Sequence, residues 1–431
     1  MNTNTEFNQS LLQFIAQSPT PFHAVETMKS RLSAQGFEPL YERDEWVLTE
    51  GGKYFVTRND SSLIAFTLPS FDVAHRGYRM IGAHTDSPCL KLKPNAQVTR
   101  FGHHQLAVEV YGGVLLHTWL DRDLSLAGRV TAKLENGDLA SFLIDFKRPL
   151  AYIPNLAIHL NRTANEGFSV NPQEEILPII AGSQTELELR QLLAAQIQHE
   201  HGIEVSAVLD FELSLYDTQA PALVGLHEEY IAAARLDNLL SCFVGLEALL
   251  AGGDQQPAML ICTDHEEVGS LSSCGANGPF LEDILRRISP IPEQYVQALQ
   301  SSMLISADNA HAQHPNYASK HDARHAPVIN QGAVIKVNNN QRYASNSETA
   351  AVYRDIAAQL GQTVQTFVVR SDMACGSTIG PITAGQIGVP TLDIGLPTFG
   401  MHSIRELAGS QDAQRLTELL THFCRREKVR P

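Results

Sequence analysis

The feature that most constrains this chain is a change of hydrophobic period partway along it. Beyond Tyr230, apolar runs of strand length alternate with stretches of helical spacing. Residues 236–250, 348–360, 377–386 and 412–427 carry the helical pattern, and 258–263, 303–306, 364–369 and 391–394 read as strands. Strands separated by helices lie parallel and are covered on both faces, because each crossover helix must pack back onto the sheet. The expectation is an α/β fold with a mostly parallel sheet flanked by helices. The N-terminal part belongs with it: residues 6–17 and 22–35 have helical spacing on either side of the breaker Ser18-Pro19-Thr20-Pro21. Residues 53–57, 63–68 and 78–83 follow as strands, the last running into His84-Thr85-Asp86.

Between these parts the pattern differs. Residues 106–111, 128–134, 139–145 and 205–216 are strand-like, the last alternating with Val208, Phe211, Leu213 and Leu215 apolar, and one helical stretch covers 185–199. This block reads as a mainly antiparallel β-rich domain with no acidic cluster of its own. The expected organisation is a catalytic α/β domain in two pieces, residues 1–93 and 229–431, interrupted by an inserted β-rich domain over 94–228.

The chain has 431 residues, enough for more than one domain with a well-buried core. A net charge of -15 argues against nucleic acid as a partner, since phosphate binding needs a basic surface. No apolar run approaches the ~20 residues that cross a membrane, and the N-terminus lacks the basic and apolar regions of a signal peptide. The six cysteines include no C-x-x-C pair, and their scatter argues against a cysteine zinc cluster. They read as reduced thiols of a cytoplasmic protein.

His and carboxylate residues recur at strand ends or loops: His84-Thr85-Asp86, Asp237-Asn238, Glu266-Glu267, Asp308 and His402. Strand carboxyl ends are where open α/β sheets build sites, and zinc accepts both imidazole nitrogen and carboxylate oxygen. In His84-x-Asp86 the acid is spaced to orient the imidazole. In Glu266-Glu267 one carboxylate can ligate while the other stays free as a general base. Each signal also has an ordinary reading. Asp237 opens a helix and fits an N-cap, the paired glutamates fit a solvated loop, and His311, His314, His321 and His325 fit a polar surface loop.

Read together, these segments resemble the aspartyl aminopeptidases. The resemblance rests on His84-Thr85-Asp86-Ser87-Pro88, Tyr111-Gly112-Gly113, Asp121-Arg122-Asp123-Leu124-Ser125-Leu126-Ala127-Gly128 and Ile153-Pro154-Asn155-Leu156-Ala157-Ile158-His159. It continues in Arg235-Leu236-Asp237-Asn238, Asp264-His265-Glu266-Glu267-Val268-Gly269-Ser270, His311-Ala312-Gln313-His314-Pro315-Asn316-Tyr317 and Gly400-Met401-His402-Ser403-Ile404-Arg405-Glu406. One departure is Asn309, where the family pattern has Met. The resemblance implies a zinc-aminopeptidase-like fold whose β-rich insertion serves dimerisation, oligomerisation and covering of the site. It implies two zinc ions per chain: His84 and Asp308 on one, Glu267 and His402 on the other, Asp237 bridging through a cis peptide to Asn238. Glu266 is then the general base and Asp86 the residue orienting His84. His159, His311, Lys336 and Tyr343 match positions around the substrate, a peptide with a free N-terminus and preferably Asp or Glu there. Lys336 also fits a plain outward-facing strand residue. The implied assembly is a homo-oligomer, commonly a tetrahedral dodecamer, in which His159 enters a neighbour's site. A broader aminopeptidase, a deacylase or carboxypeptidase on the same scaffold, and a non-enzymatic scaffold are the alternatives. The last fits poorly, because every ligand and the base are present.

Overall fold

The computed structural model describes residues 4–430. The chain forms two compact units. The first comprises residues 1–86, 221–401 and 406–431; the second comprises 87–220 with the short stretch 402–405. The sequence puts the joins at 93/94 and 228/229; the units part at 86/87 and 220/221. The strand Cys89–Arg100 runs through Pro94, where the inserted domain is expected to begin, and a register shift between Leu92 and Gln97 absorbs the proline.

The first unit is built on a nine-stranded sheet. Its spatial order is Glu38–Pro39, Gly52–Arg58, Ser62–Leu68, Ala258–Thr263, Arg79–His84, Met303–Ala307, Thr391–Gly395, Val334–Lys336 and Gln365–Phe367. The four central strands, from Ala258–Thr263 to Thr391–Gly395, are mutually parallel, as the strand–helix alternation requires. Successive residues of these strands face opposite cores. Ile81, Ala83, Leu260, Cys262 and Ile305 pack with the helices Asn4–Ala16, Pro21–Ala34, Leu236–Gly252, Ser347–Gln359 and Asp412–Arg425. Met80, Met259, Ile261 and Leu304 pack with Phe280–Ile288 and Pro292–Gln300. Burial on both faces explains why these strands are mostly apolar. The helix Leu236–Gly252 lies close on the sheet because it presents Gly245, where a Cβ would be 2.7 Å from Leu260 Cδ1. A smaller five-stranded sheet, which includes Tyr230–Ala233 and Glu406–Gly409, completes this unit.

Arg79, the first residue of the strand that ends in His84, is fully buried. Its guanidinium donates to the main-chain carbonyls of Arg426 at 2.7 Å, Arg76 at 2.6 Å and Gly77 at 2.9 Å, and to that of Glu427. A buried charge without such acceptors is costly, and here main-chain oxygens from two distant segments take the place of water.

The second unit is a six-stranded, wholly antiparallel sheet in the order Leu139–Asp145, Leu124–Leu134, Val205–Asp217, Cys89–Arg100, His103–Tyr111 and Ile179–Gly182. The helix Leu189–His201 covers one face, burying Leu193 and Ile197 with Leu126 and Ile144. Glu188 caps its start and Gly202, at φ 69°, ends it. Among the described residues no helix is long and apolar enough to cross a membrane, and all six cysteines are free thiols.

Candidate metal centre

The carboxyl ends of the parallel strands carry the chemistry. His84 ends one strand and is paired with Thr263, the end of its neighbour, after which the chain continues into Asp264-His265-Glu266-Glu267. Asp308 follows Met303–Ala307, the strand on the other side. Register therefore fixes the three segments at one edge, the position where parallel sheets open into crevices. Asp237 comes from the start of Leu236–Gly252, where neither it (φ -86°, ψ 102°) nor Asn238 (φ -128°, ψ 27°) is helical. The Asp237–Asn238 peptide is cis. Glu406 Oε2 accepts from Asp237 N at 2.9 Å, and Asn238 Nδ2 donates to Ala307 O at 2.8 Å.

His84 Nε2 lies 3.4 Å from Asp237 Oδ1 and 3.8 Å from Asp308 Oδ1. One donor atom each from His84, Asp237 and Glu267 lie within 4.8 Å of one another. Two nitrogen or oxygen ligands on tetrahedral zinc, each at ~2.0–2.1 Å, are separated by about 3.4 Å. The spacing and the donor types both fit zinc. The opposite face of the imidazole is fixed as well: His84 Nδ1 is 3.0 Å from the Asp86 carbonyl, which takes a proton there and leaves Nε2 as the ligand atom. The Asp86 carboxylate has a second task that the sequence did not disclose. Its two oxygens accept the main-chain N–H groups of Glu266 and Glu267, each at 3.1 Å. One fully buried carboxylate thus ties the His84 strand end to the Glu266–Glu267 turn.

The cluster is strongly anionic. Burial pulls the His84 imidazole down, but Asp237, Asp308 and Asp86 outweigh it and hold the ring well above its ordinary value. Burial likewise lifts the Glu266 carboxyl to about 8; His84 opposes this, while Asp308, Glu267 and Asp237 reinforce it. Such a concentration of carboxylates calls for cations, and metal ions beside them favour a neutral, ligating His84 and a lower Glu266 pKa. Among the substrate-side candidates, Lys336 is buried, with Nζ 3.6 Å from Asp308 Oδ2 and 5.4 Å from the Tyr343 ring centre. Tyr343 and His311 line a cavity of about 270 Å³ with His314, Phe367, Arg370 and Met373. Loss of water lowers the His311 pKa, and the Lys336 charge lowers it further.

His402 and His159 belong to the second unit. There His402 Nδ1 is 3.1 Å from Gly113 O, which sits in the Tyr111-Gly112-Gly113 stretch, and the Leu115 N–H donates to the His402 carbonyl at 3.1 Å. His159 is exposed on a turn-rich segment. His325 pairs with Asp322 at 2.7 Å, and the His314 N–H is 3.4 Å from His321 Nε2, so these loop histidines have local partners. Sequence reasoning missed Glu406, whose buried carboxylate holds Asp237 in place. It also missed a second cluster, Asp264, His265 and Cys274.

Histidine and carboxylate donors gathered at the carboxyl edge of an α/β sheet are the site of a metal-dependent hydrolase. The family model described as "Aminopeptidase I zinc metalloprotease (M18)" matches residues 14–424. The chain belongs to this M18 family and is a zinc metallo-aminopeptidase. A probable M18 family aminopeptidase 2 from Ectopseudomonas mendocina is 58% identical over 420 residues, covering 97% of this chain and 98% of that protein. One from Azotobacter vinelandii is 58% identical over 421 residues, with the same coverage. Among solved structures, the chain is similar to one from the Ape4 and Nbr1 complex, at TM-score 0.95 and 39% identity over 98% of this chain and 86% of that one. It is also similar to the S. cerevisiae mApe1 dodecamer, at TM-score 0.84 and 29% identity over 96% and 95% of the two chains.

Proposed function

We propose that this aminopeptidase works with two zinc ions per chain, uses Glu266 as its general base and prefers Asp or Glu at the substrate N-terminus. His84 and Asp308 would hold one ion and Asp237 would bridge to a second held by Glu267. The sequence resemblance adds His402 to the second ion. Zinc supplies Lewis acidity in such a site, making water nucleophilic near neutral pH and offsetting charge as the peptide carbonyl is attacked. Glu266 takes the proton of the attacking water and returns it to the departing amine. Asp86 positions this base through its main chain and fixes the His84 tautomer. The observation that carries the reading is that one Asp86 carboxylate accepts both the Glu266 and Glu267 N–H groups. It supports the reading because Glu266 and Glu267 are then held side by side on one turn, where one can ligate and the other can serve as base.

Acidic preference is supported by Lys336, whose ammonium is a fitting counter-charge for a substrate carboxylate. His311 and Tyr343 line the adjoining cavity. Part of the Lys336 charge is already engaged by Asp308. Assembly as a homo-oligomeric dodecamer is supported by the likeness to the mApe1 dodecamer; the sequence resemblance adds tetrahedral symmetry and His159 completing a neighbour's site. Six free thiols accord with a cytoplasmic setting. The deciding experiment measures turnover of Asp-, Glu- and Leu-aminoacyl substrates and of N-acylated ones, with and without added zinc. Zinc-dependent release that is fastest for Asp or Glu is expected. Equal rates on Leu would remove the acidic preference, and activity confined to acylated substrates would replace the reading with a deacylase.

A further inference from the structure

A second set of donors gathers next to the catalytic turn without joining it. Asp264 and His265 open the segment after Ala258–Thr263, and the chain folds back over residues 270–278 to bring Cys274 against them. Cys274 Sγ lies 3.6 Å from His265 Nδ1 and 3.6 Å from Ser272 Oγ. His265 Nδ1 is 2.9 Å from Ser272 Oγ, and its Nε2 is 3.5 Å from Asp264 Oδ2. One ligand atom from each of Asp264, His265 and Cys274 fall within 4.8 Å of one another.

The cluster is held by a frame of main-chain bonds. Ser62 Oγ accepts from Asp264 N at 2.8 Å and donates to Cys274 O at 2.9 Å, so one hydroxyl pins both ends. Ser270 N donates to His265 O at 2.7 Å, and Gly275 N donates to Ser272 Oγ at 2.9 Å. Asp264 and Cys274 are buried, while His265 is half-buried and gives an ion a route from solvent. Sulfur, imidazole and carboxylate together form the donor set of a borderline-soft cation. On tetrahedral zinc, a nitrogen at ~2.1 Å and a sulfur at ~2.3 Å lie about 3.6 Å apart, the spacing found between His265 Nδ1 and Cys274 Sγ.

We propose that Asp264, His265 and Cys274 form a second cation site, separate from the catalytic centre, that takes a thiophilic divalent ion such as zinc. Water or Ser272 Oγ completes the tetrahedron. Burial raises the Cys274 thiol, but its hydrogen bonds with His265 and Ser272 outweigh burial and favour the thiolate that ligates metal. An ion there joins the start of the segment to its return limb.

Cobalt(II) exchanged for zinc in the enzyme is the probe, because the proposed site also takes zinc. None of His84, Asp237, Glu267 and Asp308 offers sulfur, so a thiolate-to-cobalt charge-transfer band in the near ultraviolet cannot come from the catalytic centre, and the Cys274 variants separate it from binding at the other thiols. The band is expected to saturate at a single cobalt per chain. Cys274→Ser and Cys274→Ala should abolish it while keeping the native circular dichroism and zinc-dependent turnover. No band in the wild-type enzyme, or a band that survives both substitutions, overturns the proposal. Cadmium NMR of the wild-type enzyme decides independently of how the variants fold: a resonance in the range of sulfur ligation supports the site. Resonances from oxygen and nitrogen ligation alone overturn it.

Discussion

Glu266 is positioned by its main chain, not by its side chain. Its N–H is held by Asp86, so the carboxyl can change protonation without losing the bond that places it. Glu266→Gln should therefore keep the fold and the zinc content while kcat falls at least ~10²-fold, the usual contribution of a general base. Zinc analysis and turnover on one preparation test this, and near-normal turnover removes Glu266 from the mechanism. Lys336 lies beside Asp308 and over the Tyr343 ring. Lys336→Ala should reduce kcat/KM for Asp and Glu substrates at least ~10-fold more than for Leu substrates, the cost of losing one charge-assisted contact. Equal losses across the three would leave Lys336 only its bond to Asp308. His84, Asp237, Glu267 and Asp308 were legible in the sequence because each stands at the end of an apolar run or the start of a helix. The Lys336–Asp308 pair was not, because it depends on which strands become neighbours in the sheet. Cys274 was hidden for a similar reason: only the closure of the turn over 270–278 brings it to His265.

At the scale of elements, the long periodic segments were readable and the short or interrupted ones were not. Burial on both faces makes Ala258–Thr263 and the interior of Arg79–His84 nearly continuous apolar runs. The strands Pro397–Phe399 and Glu406–Gly409 are three and four residues long, too short to show a period. Cys89–Arg100 was obscured by its proline. One element end has a direct bearing on the metal centre. Thr391–Gly395 closes with a glycine against which the Asp308 main chain packs, so a Cβ there would lie 2.0 Å from the Asp308 carbonyl and 2.9 Å from Ala310 N. Both obstacles are backbone, so side-chain rotation cannot relieve them. Gly395→Ala should displace the segment carrying Asp308, at a cost of about 1–3 kcal/mol from overpacking. Bound zinc and Tm should both fall, whereas full zinc occupancy at an unchanged Tm would show that this close approach does not set the ligand.

On the scale of the whole molecule, the division into a parallel and an antiparallel unit was legible, because strand alternation and helix crossovers leave different periods. What the sequence did not disclose is that residues 402–405 rejoin the second unit, since four residues carry no pattern. His402 and His159 thus share a unit, and the proposed oligomer gives the pairing a test. After dissociation and reassembly, mixtures of inactive Glu266→Gln and inactive His159→Ala chains should regain activity, because some sites then combine an intact base with a neighbour's intact histidine. Mixed assemblies that form without recovery would rule out sharing of sites between chains.

The Arg79 clamp bears on when such an enzyme can begin to work. Two of its four carbonyl acceptors belong to Arg426 and Glu427, and Arg426 leaves the ribosome 347 residues after Arg79. Until then, the strand that ends in His84 begins with a guanidinium lacking half its acceptors, whose burial is correspondingly disfavoured. Residues 391–395 of the central sheet also emerge long after Arg79. A nascent chain that stops short of Arg426 and Glu427 therefore carries His84 on a strand whose buried arginine still lacks two of its acceptors.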